Sequence, residues 1–308
     1  MIKKLVITGI NGQDGKILAK KLNKEKKFKI FGFDKKKSFN KFSKKIKIMN
    51  FLNNKKKLNF FFKKNRIDII IHLAANNPCF KQKSREIYFN KNVINTKNLF
   101  EAVYKNNLKS KFIFCSSSQI FRDGKGLINE KSPLLSKSDY TRFRIQADKD
   151  MLKFKDKYKI KYTNIIFFNH DSKFRNKKFI LPKVIKAIIN KNIKFLNSII
   201  KENIYKDFSH AEDICDGILK IAKSSKNLDK VILSSGKLTS LNSIVKYIVN
   251  KKHIKLNLNF NKIKPKKKTI CGDNNIAKSE FSWTPKKNIY MAANDLYKYY
   301  VSNSDILK

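Results

Sequence analysis

The sequence predicts an α/β chain built on a doubly wound parallel sheet. Three observations predict it. The chain opens on a short apolar run that leads straight into closely spaced glycines. Short runs rich in Ile, Val and Phe then alternate with longer amphipathic stretches through the first half. A length of 308 residues with 41% hydrophobic side chains supplies a core and excludes wholesale disorder.

The elements follow in order. Lys4–Thr8 is the first strand, and Asp14–Asn23 has the apolar spacing of a helix. Lys29–Phe33, Ile46–Met49, Ile67–His72, Lys111–Cys115 and Tyr162–Phe168 are apolar without strict alternation, as parallel strands covered on both faces are. Helical patterns lie between them at Ser84–Tyr104 and Tyr140–Lys155. Beyond these, Phe179–Asn190, Ala211–Ser224, Ser240–Val249 and Asn288–Val301 are expected helices, and Lys230–Ser234 one more strand. The expected division is a dinucleotide-binding domain over 1–168 and a smaller α/β substrate-binding part over 169–308. The strand near 230–234 is expected to return to the first sheet. The Lys clusters at 35–37, 55–57 and 266–268 are expected at loop or edge positions.

Lys+Arg is 71 against 23 Asp+Glu, a formal charge of +48, yet only positions 66, 85, 122, 142, 144 and 175 are Arg. Readers of bases and phosphates lean on the bidentate fork of Arg. The lysines are spread along the chain and rise together with Asn, Ile and Phe, residues that share A- and T-rich codons. A solvated Lys surface is therefore favoured over a dedicated nucleic-acid partner. Cys79, Cys115, Cys215 and Cys271 form no CxxC pair, and the four histidines show no ligand spacing, so no metal site is expected. The opening MIKKLVITG lacks the apolar stretch of a signal peptide, and no run is long enough to span a membrane. A reducing, cytoplasmic setting is the expectation.

Thr8-Gly9-Ile10-Asn11-Gly12-Gln13-Asp14-Gly15 follows the first strand directly. Glycines there permit a tight turn, close approach of backbone to a pyrophosphate, and close packing of helix on strand. The N–H groups of the helix that begins there face the anion. This is the fingerprint of a Rossmann-type dinucleotide site. Asp34 stands 19 residues after Gly15, the spacing of the acid that binds the adenosine ribose of NAD. Lys35 and its neighbours could instead hold the 2′-phosphate of NADP, and the spacing leaves both open.

Strand five runs into Ser116-Ser117-Ser118-Gln119, and Tyr140 lies 22 residues beyond Ser118 with Arg144 four later. Residues at i and i+4 share a helix face. Tyr140 is thus the candidate acid/base on a sugar hydroxyl, and Arg144 the cation that lowers its pKa and binds the nicotinamide ribose.

At this point the chain resembles the extended short-chain dehydrogenases/reductases, and among them the GDP-mannose 4,6-dehydratase family. The loop Thr8–Gly15 matches TGxxGQDG. His72-Leu73-Ala74-Ala75 carries the strand-four LAA. Glu130-Lys131-Ser132-Pro133 with Ser138-Asp139-Tyr140 matches ETTP…SPY, and Phe168-Asn169-His170-Asp171-Ser172 resembles FNHES. Lys206 to Asp213 resembles the start of RDWGHAKDY; Ser235-Gly236, Gly272-Asp273, Ala277-Lys278 and Trp283-Thr284-Pro285 match the C-terminal pattern.

The resemblance implies an NADP or NAD cofactor held by Gly9, Asn11, Gly12, Gln13, Asp14, Gly15, Asp34, Lys35, Leu73, Ala74, Ala75, Tyr140 and Arg144. It implies a GDP-linked hexose as substrate, bound by Asn169 and Lys183 with Lys206 near the diphosphate. Tyr140 would take the proton of the C4 hydroxyl as hydride leaves C4, and Ser117, where the family has Thr, would polarise that oxygen. A base then removes H5, water leaves C6, and hydride returns. His170 is implied as a structural neighbour and Asp213 as a helix brace. Dimers or tetramers are implied, with no membrane.

Besides Ser117, three positions and one segment depart from the family pattern. Gln119 stands in place of the Glu that takes H5, Arg144 in place of Lys, and Lys206 in place of Arg. Met49-Asn50-Phe51-Leu52-Asn53 replaces GDLTD, removing both acids. Gln119 leaves open a reductase or epimerase of the same family, and Gln119 with Arg144 a non-catalytic relative.

Overall fold

The computed structural model describes residues 2–35, 46–77, 79, 84–106, 109–122, 126–260 and 269–303. The first elements are β1 (Lys3–Thr8), α1 (Gln13–Lys24), β2 (Phe28–Phe33), β3 (Lys47–Met49), α2 (Lys55–Lys64) and β4 (Ile69–His72). After them come α3 (Arg85–Phe89), α4 (Asn95–Asn106), β5 (Lys111–Ser117), β6 (Gly126–Ile128), α5 (Asp139–Tyr158), β7 (Lys161–Phe167) and β8 (Asn169–Asp171). The chain continues through α6 (Ile180–Ile189), α7 (Ile193–Glu202), β9 (Tyr205–His210), α8 (Ala211–Lys223), β10 (Lys230–Leu233) and β11 (Leu238–Ser240). It ends with α9 (Leu241–Lys251), β12 (Ile270–Gly272), α10 (Asn275–Phe281) and α11 (Ile289–Val301).

The main sheet has the order β10-β7-β5-β4-β1-β2-β3. β1 pairs in parallel with β2 and β4, β2 with β3, and β4 with β5. The order reverses beside β1, which makes the sheet doubly wound and opens a crevice at the carboxyl ends of β1 and β4. The strands are apolar on both faces because helices cover both, and residues 69–72 of β4 are all buried.

Two compact units divide the chain. The first comprises Met1–Arg122, Glu130–Ile166 and Gly217–Val231; the second comprises Asp123–Asn129, Phe167–Asp216 and Ile232–Lys308. The core of the first is unusually aromatic. Phe61 meets Phe31, Phe33 and Phe62 edge-on at centroid separations of 5.1–5.4 Å. In the second unit α6, α9 and α11 bury Leu181, Ile185, Ile244, Ile248, Ala293 and Leu296. A three-stranded sheet, β11-β9-β8, and a β12-β6 pair complete it.

Two expectations change. Lys55–Lys57 form the first turn of α2 rather than a loop. Asn54 caps that turn by accepting the Lys57 N–H at 2.9 Å, and Leu58, Phe61 and Phe62 bury one face. The single helix expected over 84–104 is α3 and α4 joined by a π-helical turn over Asn90–Ile94. The Asn92 amide donates to the Tyr88 carbonyl at 2.9 Å, and the Thr96 hydroxyl donates to the Asn92 carbonyl at 2.9 Å. Side chains competing for helix carbonyls are the local cause of the extra residue. Lys36, Lys37 and Lys266–Lys268 lie outside the described residues.

Lys111 opens β5 as a buried residue. Its ammonium donates to the carbonyls of Ile221, Ser224 and Lys226 at 2.6, 2.9 and 2.7 Å, closing the C-terminal end of α8. No described helix is long and apolar enough to cross a membrane.

Candidate active site

The phosphate loop is built as its glycines require. Gly9 has φ +70°, and a Cβ on Gly15 would sit 2.5 Å from the Gly9 carbonyl oxygen and from the Ile10 Cα. Helix α1 therefore starts hard against the end of β1, with Asp14 in its first turn and Lys21 and Lys24 in its last. The Gln13 amide donates to the Asp14 carboxylate at 3.2 Å. Asp34, just past β2, accepts the Asn11 N–H at 3.0 Å and the Lys35 N–H at 2.8 Å. The Lys35 ammonium turns to the Asn76 side-chain oxygen, 3.3 Å away.

Behind the loop lies a polar relay that sequence reasoning missed. His72 ends β4, with Nδ1 2.7 Å from the Thr8 hydroxyl and Nε2 2.9 Å from the Thr96 hydroxyl. The Thr96 proton goes to the Asn92 carbonyl, so Thr96 accepts from His72 Nε2–H. Nδ1 is then the acceptor for the Thr8 O–H, and Thr8 accepts the Ala74 N–H at 3.0 Å. The Asn92 side-chain oxygen accepts the Asn76 N–H, also at 3.0 Å. Every donor has one acceptor, which fixes the neutral Nε2–H imidazole. Burial drives the His72 pKa down to about 3, and the Arg144 charge adds to the effect. The relay ties Leu73-Ala74-Ala75 to β1, where a Cβ on Gly9 would meet Ala74 N at 3.1 Å.

On α5, Ser138 caps the helix in a reciprocal box with Thr141, and this sets where Tyr140 falls. Tyr140 is buried, and Arg144 is 1% exposed one turn on. The Arg144 guanidinium stacks 4.2 Å from the Phe114 ring centre and donates through Nη2 to the Cys115 carbonyl. Burial, most of all, holds the Cys115 thiol above its ordinary range. Ser117 Oγ accepts the Gln119 N–H at 3.3 Å, so its own proton is free to be donated elsewhere. Gln119 is exposed on the 3₁₀ turn that follows β5.

Among the described residues of this unit, the buried polar atoms without hydrogen-bond partners include Arg144 Nε and Nη1, Ser116 Oγ and Tyr88 Oη. Native proteins leave few such groups unmet, so atoms of this kind around the end of β5 mark a place for a bound polar molecule. The tight glycine cradle, the Asp34 carboxylate and the two Arg144 nitrogens fit a dinucleotide.

The second unit holds the other sequence-identified residues. Asn169 (β8) donates to the Asp207 carbonyl at 3.5 Å. Lys206 is exposed on the neighbouring strand β9, whereas Lys183 is exposed on the separate helix α6. His170 bonds the Phe168 carbonyl at 2.8 Å, a structural contact. Asp213 accepts the Lys286 and Lys287 N–H groups at 2.8 and 2.6 Å, bracing α8 against the segment before α11. Asp207 takes N–H groups from Ser235, Gly236 and Gly272 at 2.9, 3.2 and 3.0 Å. Burial holds its pKa above the ordinary carboxylate range, and hydrogen bonds from the Ser235 hydroxyl and the Gly272 and Ser235 N–H groups offset only part of that rise. Among the described residues no group of three or more His, Cys, Asp or Glu could hold a metal.

Known proteins resemble this chain in sequence and in fold. The chain is 27% identical over 236 residues to a GDP-mannose 4,6-dehydratase of Yersinia enterocolitica, covering 69% of this chain and 62% of that one. A GDP-mannose 4,6-dehydratase of Sinorhizobium fredii is 24% identical over 166 residues, 51% of this chain and 46% of that one. Each match thus spans less than two thirds of the relative's length. The fold is shared with UDP-glucuronic acid 4-epimerase from Bacillus cereus, solved with NAD (TM-score 0.81, 18% identity, 96% of each chain). It is also shared with dTDP-glucose 4,6-dehydratase from Bacillus anthracis, solved with NAD (TM-score 0.80, 17% identity, 99% and 100% covered). Residues 5–233 match the model of the NAD dependent epimerase/dehydratase family. With that match over well more than half its length, the chain belongs to the NAD dependent epimerase/dehydratase family.

Proposed function

We propose that this protein is an NAD-dependent enzyme of the GDP-mannose 4,6-dehydratase type, which oxidises C4 of a GDP-linked hexose and eliminates water across C5 and C6. The observation that carries the reading is Tyr140 one turn from a buried Arg144 whose Nε and Nη1 have no partner among the described residues. The names of the two curated relatives favour a GDP-linked sugar. Asp34 favours NAD over NADP, because its carboxylate would repel a 2′-phosphate and the Lys35 ammonium turns to Asn76.

NAD supplies the acceptor, and later the donor, of hydride. The rest is done by this chain. Tyr140 takes the C4 hydroxyl proton. Arg144 stabilises by its charge the phenolate form of Tyr140 that accepts this proton, and offers Nε and Nη1 as donors to ribose hydroxyls. Ser117 donates to the C4 oxygen. Asn169, Lys183 and Lys206 bind the nucleotide-sugar. The C4 ketone acidifies H5, and the C6 hydroxyl leaves as water once H5 is removed.

Gln119 favours a second reading. An amide takes no proton, and a missing general base removes about 10²–10⁴-fold from a step. A 4-epimerase or 4-reductase needs Tyr140 but no base at 119. Mass spectrometry of GDP-mannose incubated with the protein and NAD separates the two. Loss of one water is expected for the dehydratase. An unchanged mass with inverted C4, or product formed only from a 4-keto sugar and reduced cofactor, selects the second reading.

A further inference from the structure

Tyr88 is the orphan donor that the mechanism leaves unused. It lies on α3, and its hydroxyl oxygen is buried without a hydrogen-bond partner. Contacts at both the ring and the backbone position Tyr88, the ring with Phe143 and the carbonyl with Asn92. The ring packs edge-on against Phe143 at 5.8 Å and 73°, and Phe143 follows Tyr140 by three residues on α5. Behind it, Asn92 bonds the Tyr88 carbonyl at 2.9 Å within the π-helical turn. A rotatable hydroxyl fixed this firmly next to an acid/base and left unmet is costly to the free protein and available to a ligand. Burial raises the Tyr88 pKa, and the charge of a Tyr140 phenolate raises it further. Tyr88 therefore stays protonated and acts as a donor while Tyr140 exchanges its proton.

We propose that Tyr88 is a hexose-binding residue whose hydroxyl donates a hydrogen bond to an oxygen of the sugar that Tyr140 oxidises. The assignment rests on the role given to Tyr140. The sugar is favoured over the cofactor's diphosphate because the phosphate loop lies at the end of β1, whereas Tyr88 packs on Phe143, three residues from Tyr140 on α5, and lies within reach of the Tyr140 charge. The hydroxyl is not needed for folding, since no described residue receives it.

The test is Tyr88→Phe in the full chain, which removes the hydroxyl and keeps the ring against Phe143. NAD affinity and the affinity of the NAD-bound protein for GDP-mannose, UDP-glucuronate and dTDP-glucose are measured by calorimetry. Where a probe is turned over, KM and kcat are measured separately. Expected are an unfolding midpoint unchanged or raised, unchanged NAD affinity, and sugar-nucleotide affinity about 10-fold weaker, with KM affected more than kcat. Sugar-nucleotide affinity within twofold of wild type would overturn the proposal, as would an equal loss of NAD affinity. A probe that binds the wild type without being turned over defeats the proposed reaction yet still tests Tyr88 through binding. Failure of every probe to bind the wild type overturns both.

Discussion

Acidification should destabilise this protein through one buried imidazole. His72 has a pKa of about 3 in the fold, against 6.5 for the free group, chiefly because it is buried and further because of Arg144. Between those values the unfolded chain binds one proton more than the native one, so stability falls as pH falls from about 6.5 towards 3. Linkage puts the loss between pH 7 and pH 5 at about 2 kcal/mol. That figure is set by the unfolded pKa and hardly changes with how far the native value lies below 5. Structurally, protonation would place a second N–H against the Thr8 hydroxyl and force Thr8 to give up the Ala74 N–H or turn its proton outward. The assay is urea unfolding at pH 7 and pH 5 of wild type and His72→Gln, which keeps a donor and an acceptor but does not titrate. Other titrating groups contribute to both proteins and cancel in the difference. Wild type should lose about 2 kcal/mol more than the variant on acidification. Equal losses would refute the neutral, buried assignment and with it the relay.

Three further outcomes are expected. Gln119→Glu should raise water loss from GDP-mannose by about 10²-fold or more, read by mass spectrometry; a flat response would put the base elsewhere. Lys111→Met should cost about 2–4 kcal/mol in urea unfolding, because the carbonyls of Ile221, Ser224 and Lys226 lose their donor. Gly15→Ala should abolish NAD binding, measured by calorimetry, because its Cβ would lie 2.5 Å from the Gly9 oxygen and displace α1; retained binding would mean that the loop yields.

The phosphate loop, β1, β4, β5 and the start of α5 were legible because their signals are local. Glycines at a fixed spacing, apolar runs and Ser138 ahead of a helical stripe each dictate nearby backbone. α2 was legible in principle: Asn54 is a cap, and Leu58, Phe61 and Phe62 are a stripe, but the Lys55–Lys57 run masked both. α7 likewise starts at a capping Asn192 and buries Leu196, Ile199 and Ile200. Of the three-residue strands, β3 was legible within an apolar run, whereas β6, β8, β11 and β12 are too short to display a period. The relay through Thr8, His72 and Thr96 and the free hydroxyl of Tyr88 arise from residues distant in sequence, and only the fold brings their partners together. The burial of the Lys111 ammonium at the start of β5 has the same distant origin, because the carbonyls of Ile221, Ser224 and Lys226 converge on it.

The account's central claim is that Tyr140 oxidises C4 of a bound sugar with NAD. Deuterium tracing tests it most directly. GDP-mannose labelled with deuterium at C4 is incubated with NAD and either wild type or Tyr140→Phe, and sugar and nicotinamide are analysed after quenching. Label leaving C4 for the nicotinamide or for C6 in wild type, with none moved in Tyr140→Phe and NAD affinity intact, is the predicted result. Label that stays at C4 in wild type, or moves equally in both proteins, would contradict it.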